Sequence, residues 1–579
     1  MANKAELIKQ RYGNPFDVLK AVERAARRGY DSLSEGDLFM CKWIGLYTHR
    51  HEQGYFMLRT KQPNGMVTPE QLETIAEITE RQNKGYADIT TRQDFQLHWV
   101  HHTQAVEILQ RLTAVGVSSL GACGDITRNV VGCPVAGVDQ EEVLDASPVV
   151  RQLSEFFLGN LAYANLPRKY KISVAGCQTQ CVHPEIQCVA LVGVARSIDP
   201  AIGPRPLAVG PSGLLPQAGE RVGALPVGLH GRTEVGFDLR VGGGLSTQAH
   251  LSQRLGAFVR PDEVVEVVRH ITEIWRDTPA YREHRERARI KFLIRDWGAP
   301  KFRQVLEERL GRRLEDTPAD FEEPAETYRD HLGVHAQKQP GLYYVGAPVL
   351  VGRITSPQMH RVAELCRRYG DGTTIRLTNR QNILLLNIPE ANVERVLGGL
   401  AEVGLSINAH PVRRSVVTCT GIEFCKLAIT ETKARSRQLV EYLEQRVPLD
   451  EPLRLHVTGC PNACAQYQIG HIGLMGTKVK VDGQVVDAYD IWIGGQMGRG
   501  ARFNHVVARR IPATACAKRL ERLLLRFTQQ RKERESFNDW CQRVGDDTLG
   551  TLLSDPQTHP LQVEGVPLPQ VPESDGPVY

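Results

Sequence analysis

The chain has 579 residues, of which 41% are hydrophobic and 24% are charged. This balance indicates several globular domains and excludes a wholly disordered chain. No run of about 18 apolar residues predicts a membrane span, and the first 30 residues do not resemble a secretory signal. The net charge of +5 is too small to indicate a nucleic-acid partner. We therefore expect a cytoplasmic protein with neither a membrane nor a nucleic-acid partner.

The sequence contains an internal repeat, which is the first sign of its domain organisation. Five short segments recur in the same order: residues 67–72 with 354–359, 91–93 with 379–381, 130–133 with 416–419, 172–177 with 455–460, and 238–243 with 490–495. The offset between mates is 283 residues at position 172 but 252 at position 238. The first half therefore carries about 31 additional residues between these positions. They coincide with a Pro- and Gly-rich stretch, residues 199–231, which predicts a long loop.

In chain order, we predict a first half-repeat over residues 1–280, a basic helical linker over 281–335, a second half-repeat over 336–555 and a Pro-rich tail over 556–579. A Thr-Pro start and helical spacing predict a helix over 67–84, followed by an alternating strand. Residues 431–446 predict another helix, and 454–457 a short strand. The fold class expected is α+β, with two pseudo-repeated halves of mixed sheets and helices. The 199–231 loop could be a flap near a substrate pocket or a docking feature.

Four of the thirteen cysteines form the strongest chemical signal. Cys419 and Cys425 are separated by five residues, and Cys460 and Cys464 by three. Grouped cysteines in a cytosolic chain indicate a metal site. Two close pairs suit either a tetrahedral zinc ion or an iron–sulfur cluster. The gaps are wider than those of most zinc sites, which favours the bulkier cluster.

The segments TCTGIEFCKLAITETK (418–433) and HVTGCPNACAQ (456–466) resemble the signature of sirohaem-dependent sulfite and nitrite reductases. The resemblance extends over about residues 43–522 and includes the duplication. It implies that the four cysteines hold a [4Fe–4S] cluster and that Cys464 also ligates the sirohaem iron. Backbone groups near Gly459, Asn462 and Ala463 could donate hydrogen bonds to the sulfurs and tune the potential.

A sirohaem carries eight carboxylates, and sulfite and nitrite are anions, so such a site needs fixed cations. The resemblance implies that Arg92, Lys169 and Lys171 face the substrate, hold the anion and supply protons. Lys169 and Lys171 are two apart in a predicted strand and should share one face. Other candidates contact the cofactor carboxylates or the substrate side: Arg59, Arg128, Asn129 and Arg168. We expect Arg380 and Gln381, the mates of Arg92 and Gln93, to be structural.

Three departures from the family pattern bear on the substrate and on metal content. The motif of plant-type nitrite reductases at this place looks like Asp-Thr-Arg-Pro, whereas this chain has Asp-Ala-Ser-Pro at 145–148. An arginine of that motif is therefore absent here, and Arg151 could replace it. A second motif of plant-type nitrite reductases looks like Lys-Trp-Asn, whereas this chain has Lys-Tyr-Lys at 169–171. The second lysine favours sulfite, which is partly a dianion. Finally, Cys133, Cys177 and Cys181 align with Cys419, Cys460 and Cys464, and Asp139 takes the fourth place. This set could hold a second cluster, but we favour a relic of the duplication because three thiolates fall short of four.

The expected function is the six-electron reduction of sulfite to sulfide at a coupled sirohaem–[4Fe–4S] centre. The alternative is reduction of nitrite to ammonia by the same centre. No Gly-rich dinucleotide motif follows a strand, so the electron donor should be external, either a ferredoxin, which suits the basic charge, or a separate flavoprotein. A rival from another class is a non-enzymatic zinc or nucleic-acid module that uses the four cysteines as a structural clip.

Overall fold

The computed structural model describes residues 3–197 and 233–554, apart from positions 51, 83, 178, 180, 320 and 326–328. The predicted 199–231 loop and the 556–579 tail lie outside the described residues. Within the described part of the chain, no helix has both the length and the apolar character that a membrane crossing requires.

The described residues form helices throughout both halves of the chain. They are α1 (Lys4–Tyr12), α2 (Val18–Arg28), α3 (Glu35–Met40), α4 (Pro69–Gln82), α5 (Ala105–Ala114), α6 (Ser147–Phe157), α7 (Val264–Arg276), α8 (Ala280–Glu283), α9 (Ile290–Leu310), α10 (Ser356–Tyr369), α11 (Val393–Glu402), α12 (Pro411–Ser415), α13 (Lys433–Glu444), α14 (Ala513–Gln530), α15 (Phe537–Val544) and α16 (Asp546–Ser554).

Strands alternate with these helices. They are β1 (Leu46–Thr48), β2 (Tyr55–Arg59), β3 (Met66–Val67), β4 (Tyr86–Ile89), β5 (Phe95–His101), β6 (Val131–Gly132), β7 (Ile172–Ala175), β8 (Val189–Ser197), β9 (Thr233–Val241), β10 (Gln253–Val259), β11 (Glu315–Asp316), β12 (Gly333–Ala336), β13 (Leu342–Ala347), β14 (Arg353–Thr355), β15 (Ile375–Leu377), β16 (Ile383–Pro389), β17 (Val417–Thr418), β18 (Leu455–Thr458), β19 (Ile472–Val481), β20 (Gln484–Ile493) and β21 (His505–Pro512).

The four sheets have two topologies, and each topology occurs once in each half. This arrangement confirms the α+β class with two similar halves. The first sheet has the order β1-β2-β5-β4-β14, and the third has β12-β13-β16-β15-β3. The second sheet has the order β11-β10-β9-β8-β7-β6, and the fourth has β17-β18-β19-β20-β21. In the second and fourth sheets, three parallel strands are followed by antiparallel ones.

The halves exchange one strand each. β14, from the second half, completes the first sheet by pairing Ile354 with Ala87 of β4. β3, from the first half, completes the third sheet by pairing Val67 with Ile375 of β15. A single apolar core then spans both sheets and includes buried residues of α4 and α10. Each half therefore depends on the other for a closed sheet and a dry core.

The segment 281–335, predicted as a linker, contributes directly to the first half. Ile290, Phe292 and Leu293 of α9 are buried in the core cluster that also contains side chains of β7 to β10. β11 then pairs with β10, so the chain returns to the edge of the second sheet. A left-handed Gly298 with a φ of +74° and Pro300 inside α9 divide the helix. The helical part of this segment is thus core rather than connector.

The additional length of the first half falls between two paired strands. Ser197 at the end of β8 pairs with Thr233 at the start of β9. In the fourth sheet, the equivalent strands close with Val481 opposite Gln484, across Asp482 and Gly483. Since a two-residue Asp-Gly turn suits such a hairpin, the second half shows how β8 and β9 can be joined without the 199–231 stretch.

Replacement of residues 198–232 by Asp-Gly should therefore leave the fold intact. We expect an unchanged circular dichroism spectrum, a Tm within about 5 °C of the parent and, because the cysteine loops are untouched, retention of the visible absorption expected for a sirohaem. Activity with a small artificial donor should also be near that of the parent. Loss of the absorption would show that the segment belongs to the cofactor-binding core.

Candidate functional site

The two cysteine pairs follow neighbouring parallel strands. β17 ends at Thr418, directly before Cys419, and β18 ends at Thr458, two residues before Cys460. These strands pair in parallel, with Thr418 opposite Val457. Their carboxyl ends consequently lie at the same sheet edge, and the two cysteine loops, residues 419–425 and 460–464, start side by side.

Backbone hydrogen bonds hold the cysteine loops together. The Ile429 N–H donates to the carbonyl of Gly459 over 2.7 Å, and Cys425 N–H donates to Gly421 O over 3.0 Å. A Cβ at Gly459 would lie 2.9 Å from the carbonyl oxygen of Thr430, and Gly421 has a left-handed φ of +70° with Thr432 against it. Only glycine fits both positions without displacement of backbone.

The environment of the sulfurs suits metal-bound thiolates. The Gly459 N–H donates to Cys419 Sγ over 3.2 Å, and the Asn462 side-chain amide donates to Cys460 Sγ over 3.5 Å. Cys464 is exposed, whereas Cys460 is buried. Burial raises the pKa of the Cys419 thiol to about 12, so this sulfur becomes a thiolate only when a metal displaces its proton.

The spacing of the four sulfurs distinguishes a single zinc ion from an iron–sulfur cluster. Four thiolates on one zinc ion would lie about 3.8 Å apart, given Zn–S bonds of about 2.3 Å. Among the residues that the structure describes, no three of these four sulfurs come within 4.8 Å of one another. The set is therefore too open for a single tetrahedral ion and fits a multi-iron cluster.

Loops of the first half pack directly against the cysteine loops of the second. Thr91 Oγ1 donates to the Cys464 carbonyl over 3.1 Å. Arg50, which was not predicted, donates to the carbonyls of Cys425 over 3.1 Å and Ala428 over 2.8 Å. The Phe424 ring stacks on His98 of β5 with centroids 3.8 Å apart. The site is thus built between the halves, with Arg92 next to the residue that touches Cys464.

A group of basic side chains, the cation cluster (Arg92, Lys169, Lys171 and Arg289), lies on this side of the molecule. Lys169 and Lys171 are half-buried and flank the fully buried Tyr170, which stacks on Trp275. The backbone alternation therefore turns both lysines away from the core. The charge of Cys464 acts on Lys169, which connects the cluster to the exposed cysteine.

The pKa values in the cation cluster show positive charge that the described residues do not balance. Burial, together with Arg289 and Arg168, lowers the pKa of Lys169 to about 7. Burial, Arg92 and Lys169 hold the pKa of Lys171 well below its usual range. A bound anion between these groups would restore their charge.

Arg289 belongs to the cation cluster but was not predicted. It is buried, donates to Leu245 O over 3.1 Å and to Cys188 Sγ over 3.6 Å, and acts on both Lys169 and Lys171. It precedes α9, in the segment predicted to be a linker. A sequence signal existed, because Arg289 and Lys291 repeat the two-residue spacing of Lys169 and Lys171.

The remaining predicted cations differ in how free they are to bind a ligand. Arg128 is held by the carbonyls of Ala122 over 3.2 Å and Gly124 over 2.7 Å. Arg168 pairs with Asp125 over 3.3 Å, and the same carboxylate binds Arg285 over 2.7 Å. Part of the charge of Arg168 is therefore already neutralised.

Arg59 and Asn129 lie nearer to the cysteine loops and to Arg92. Arg59 donates to Gln96, lies over the Tyr47 ring at 5.2 Å, and is influenced by Cys464. The Asn129 side-chain amide donates to Gln62 O over 2.7 Å and to Arg92 O over 2.9 Å. Arg151, the suggested replacement for the absent arginine, is exposed on α6 and acts on Arg376, which lies near Cys133 rather than Cys464.

Several buried polar atoms around this site have no partner among the described residues. They are the Nε atoms of Arg59, Arg92, Arg128 and Arg289 and the Oδ1 atom of Asn129. Buried polar groups are nearly always satisfied, and here most of the unsatisfied atoms are cationic donors. The residues present therefore fit a large polyanionic group with the four thiols beside it.

Comparison with known proteins identifies the family. The model for the nitrite and sulphite reductase 4Fe–4S domain matches residues 123–314 and 410–561. The model for the nitrite/sulfite reductase ferredoxin-like half domain matches residues 49–115 and 335–403. The two kinds of match alternate along the chain in the same way as the two sheet designs.

Curated relatives and a solved structure agree with these matches. A sulfite reductase [ferredoxin] of Mycobacterium tuberculosis is 36% identical over 93% of this chain and 94% of its own length. A ferredoxin–nitrite reductase of Leptolyngbya laminosa is 34% identical over 90% of this chain and 96% of its own. The structure of the Mycobacterium tuberculosis NirA protein superposes with a TM-score of 0.84 at 36% identity, covering 95% and 97% of the two chains.

The chain belongs to the nitrite and sulphite reductase family. It is an oxidoreductase with a sirohaem and a [4Fe–4S] cluster as its cofactors. The four widely spaced thiols fit the iron–sulfur cluster, and the cations without a partner carboxylate fit the anionic sirohaem.

Proposed function

We propose that the enzyme reduces sulfite to sulfide in a six-electron reaction. The observation that carries this proposal is the cation cluster, in which two lysines and two arginines converge on the side of the exposed Cys464. Sulfite is partly a dianion near neutral pH, and a dianion gains more than a monoanion from each fixed positive charge. The corresponding position of plant-type nitrite reductases looks like an asparagine. Lys171 therefore adds a positive charge at a position that should affect the preference for sulfite over nitrite.

The cysteine loops supply the metal ligands in this proposal. Cys419, Cys425, Cys460 and Cys464 would hold the [4Fe–4S] cluster, and Cys464 would also ligate the sirohaem iron. The coupled group supplies single electrons in succession when bound. Gly459 and Asn462 donate to the sulfurs and so stabilise their negative charge. Arg59, Arg128, Asn129 and Arg168 surround the cofactor, with Arg59 and Asn129 the better placed because the other two already have strong partners.

Arg92, Lys169 and Lys171 hold the substrate anion and deliver protons. Conversion of sulfite to hydrosulfide takes up six electrons and seven protons and releases three waters, so proton delivery must keep pace with electron delivery. Burial lowers the pKa of Lys169 and a bound anion raises it again, so Lys169 is protonated beside the anion and can donate that proton. Arg92 holds the anion by its positive charge, because its guanidinium nitrogens already donate to Gln187 Oε1 over 3.1 Å and to the carbonyls of Asn129 and Ile172.

An external ferredoxin is the proposed donor, in the cytoplasm. The two relatives described above are a sulfite reductase [ferredoxin] and a ferredoxin–nitrite reductase. Lys426 and Leu427, directly after Cys425, are exposed, and Leu427 is 70% exposed. The cluster loop therefore reaches the surface, where a small acidic protein could approach it. The described residues contain no disulfide bond, which suits a reducing compartment.

Nitrite is the second candidate, because relatives named as nitrite reductases, such as that of Haloferax mediterranei at 34% identity, match almost as well as the sulfite reductases. The same residues would hold nitrite and reduce it to ammonia. The ratio of kcat/KM for the two substrates, measured on the holoenzyme with one donor, decides between them. A ratio in favour of nitrite would overturn the sulfite proposal.

Cys464→Ser should reduce the rate of sulfide formation at least about 100-fold, because a serine oxygen is a poor ligand to iron that prefers thiolate. The rate is measured with a reduced viologen dye, together with the visible spectrum and the iron content. Cys541→Ser, which alters a buried cysteine of α15 far from the cysteine loops, is the matched control. A Cys464→Ser enzyme with full activity would refute the assignment.

Lys171→Asn should lower kcat/KM for sulfite about tenfold more than for nitrite, equivalent to about 1.4 kcal/mol. The reason is that loss of one charge weakens the binding of a dianion more than that of a monoanion. Lys301→Asn, at an exposed position of α9, controls for the loss of a lysine elsewhere. Equal losses for the two substrates would mean that Lys171 holds the cofactor or the fold and does not select the substrate.

A further inference from the structure

A second group of potential metal ligands lies in the first half, away from the cysteine loops. The ligand atoms of Cys133, Cys181 and His331 all lie within 4.8 Å of one another, and so do those of Cys133, Asp139 and Cys177. All five side chains are buried. The Cys133 and Cys181 sulfurs are 3.9 Å apart. This thiol cluster (Cys133, Cys177, Cys181 and His331) joins cysteines of the second sheet to a histidine that precedes β12.

His331 is the observation that points to a ligand. Its side chain is 3% exposed, and neither ring nitrogen has a hydrogen-bond partner among the described residues. Its φ of +59° is unusual for a residue other than glycine. A buried imidazole without partners loses its hydration with no compensation, whereas coordination to a metal would satisfy one nitrogen.

Asp139 is less suited to be the fourth ligand. Arg329 donates to both of its carboxylate oxygens, over 2.8 and 2.9 Å, and the Glu141 N–H donates to one of them over 3.2 Å. The carboxylate is therefore occupied, and its role is to position Arg329 against the thiol cluster. His331 is left as the residue with unused donor capacity beside the three thiols.

The sulfur spacing favours one small ion over an iron–sulfur cluster. A tetrahedral zinc site with Zn–S bonds of about 2.3 Å sets neighbouring sulfurs about 3.8 Å apart, close to the 3.9 Å between Cys133 and Cys181. The Cys177 sulfur lies within 4.8 Å of Cys133 but farther than that from Cys181 and His331, so its side chain has to move toward the ion to become the fourth ligand. The repeat mates in the second half are spaced more widely, as described above. The duplicated positions thus offer two different cavities, one for a cluster and one for a single ion.

The surroundings support a closed structural site. The thiols pack among Val131, Val135 and Ala175 of the first half and Tyr344 and Leu384 of the third sheet. Three thiolates and one neutral imidazole around a divalent ion leave a net charge of −1. The buried Arg376 acts on Cys133 and would balance that charge.

We propose that Cys133, Cys177, Cys181 and His331 bind one Zn²⁺ ion in a tetrahedral structural site, which fastens the first half to the start of the third sheet. This replaces the expectation of a metal-free relic. The ion takes no part in electron transfer, because zinc has no accessible second oxidation state in proteins.

Metal analysis of the tag-free holoenzyme, after dialysis against EDTA, tests the proposal. We expect about one zinc per chain beside the iron of the sirohaem and the single cluster. Zinc-edge X-ray absorption should fit three sulfurs at about 2.3 Å and one nitrogen at about 2.0 Å. Absence of zinc would overturn the proposal, whether the iron content indicates one cluster or two. A zinc site without sulfur ligands would overturn it as well.

Repeat mates provide a matched pair of variants. Cys181→Ser should lower the zinc content at least tenfold and leave the iron content unchanged, whereas Cys464→Ser should retain the zinc. His331→Cys should keep the zinc and change its absorption fit to four sulfurs. If Cys181→Ser does not fold, the absorption spectrum of the parent enzyme still decides. Retention of zinc in Cys181→Ser, or its loss in Cys464→Ser alone, would place the ion elsewhere.

Discussion

Two buried glutamines, at the same place in each half, hold the two halves together, and both metal regions depend on this contact. Each side-chain amide donates once within its own half, to the strand that precedes a cysteine, and once to a sheet of the other half. The bonds join Gln93 to Gly132 (3.0 Å) and Leu377 (2.9 Å), and Gln381 to Thr418 (3.0 Å) and Ile89 (2.7 Å). Both glutamines have left-handed backbone, at φ of +59° and +66°. The cysteines of one half are thereby placed against loops of the other.

This exchange explains why the site could be predicted only in part from sequence. The repeat and the spacing of Cys419, Cys425, Cys460 and Cys464 are local patterns, and they predicted the family, which the comparisons confirm, and the ligands proposed for the cluster. The exchanged strands β3 and β14 have two and three residues, too few for a periodic signal. Contacts such as Arg50 with Cys425 or Arg289 with Lys169 join residues far apart in the chain and become visible only after folding.

The two halves share a backbone framework but differ in the charged groups that line equivalent positions. On the side of Cys464, Arg92 meets lysines whose charge the described residues do not balance. At the mate position, Arg380 lies near His183 and His456, and burial lowers the pKa of His456 to about 3. The two sides therefore share a backbone but differ in the groups beside the arginine, which are lysines on one side and neutral histidines on the other.

Metal and cofactor binding are consequently linked to the stability of the fold. The half-buried Lys169 and Lys171 oppose folding while no anion is bound, because desolvation and the neighbouring cations disfavour their charged form. An anionic cofactor that binds the folded chain removes this opposition and stabilises it by mass action. A zinc ion at the proposed site would stabilise the fold in the same way, since it would join Cys133 to His331, which lies just before β12 of the third sheet. The exchanged strands β3 and β14 close the two sheets. The cofactors beside Cys464 and the proposed zinc ion beside Cys133 would then fix the position of one half relative to the other.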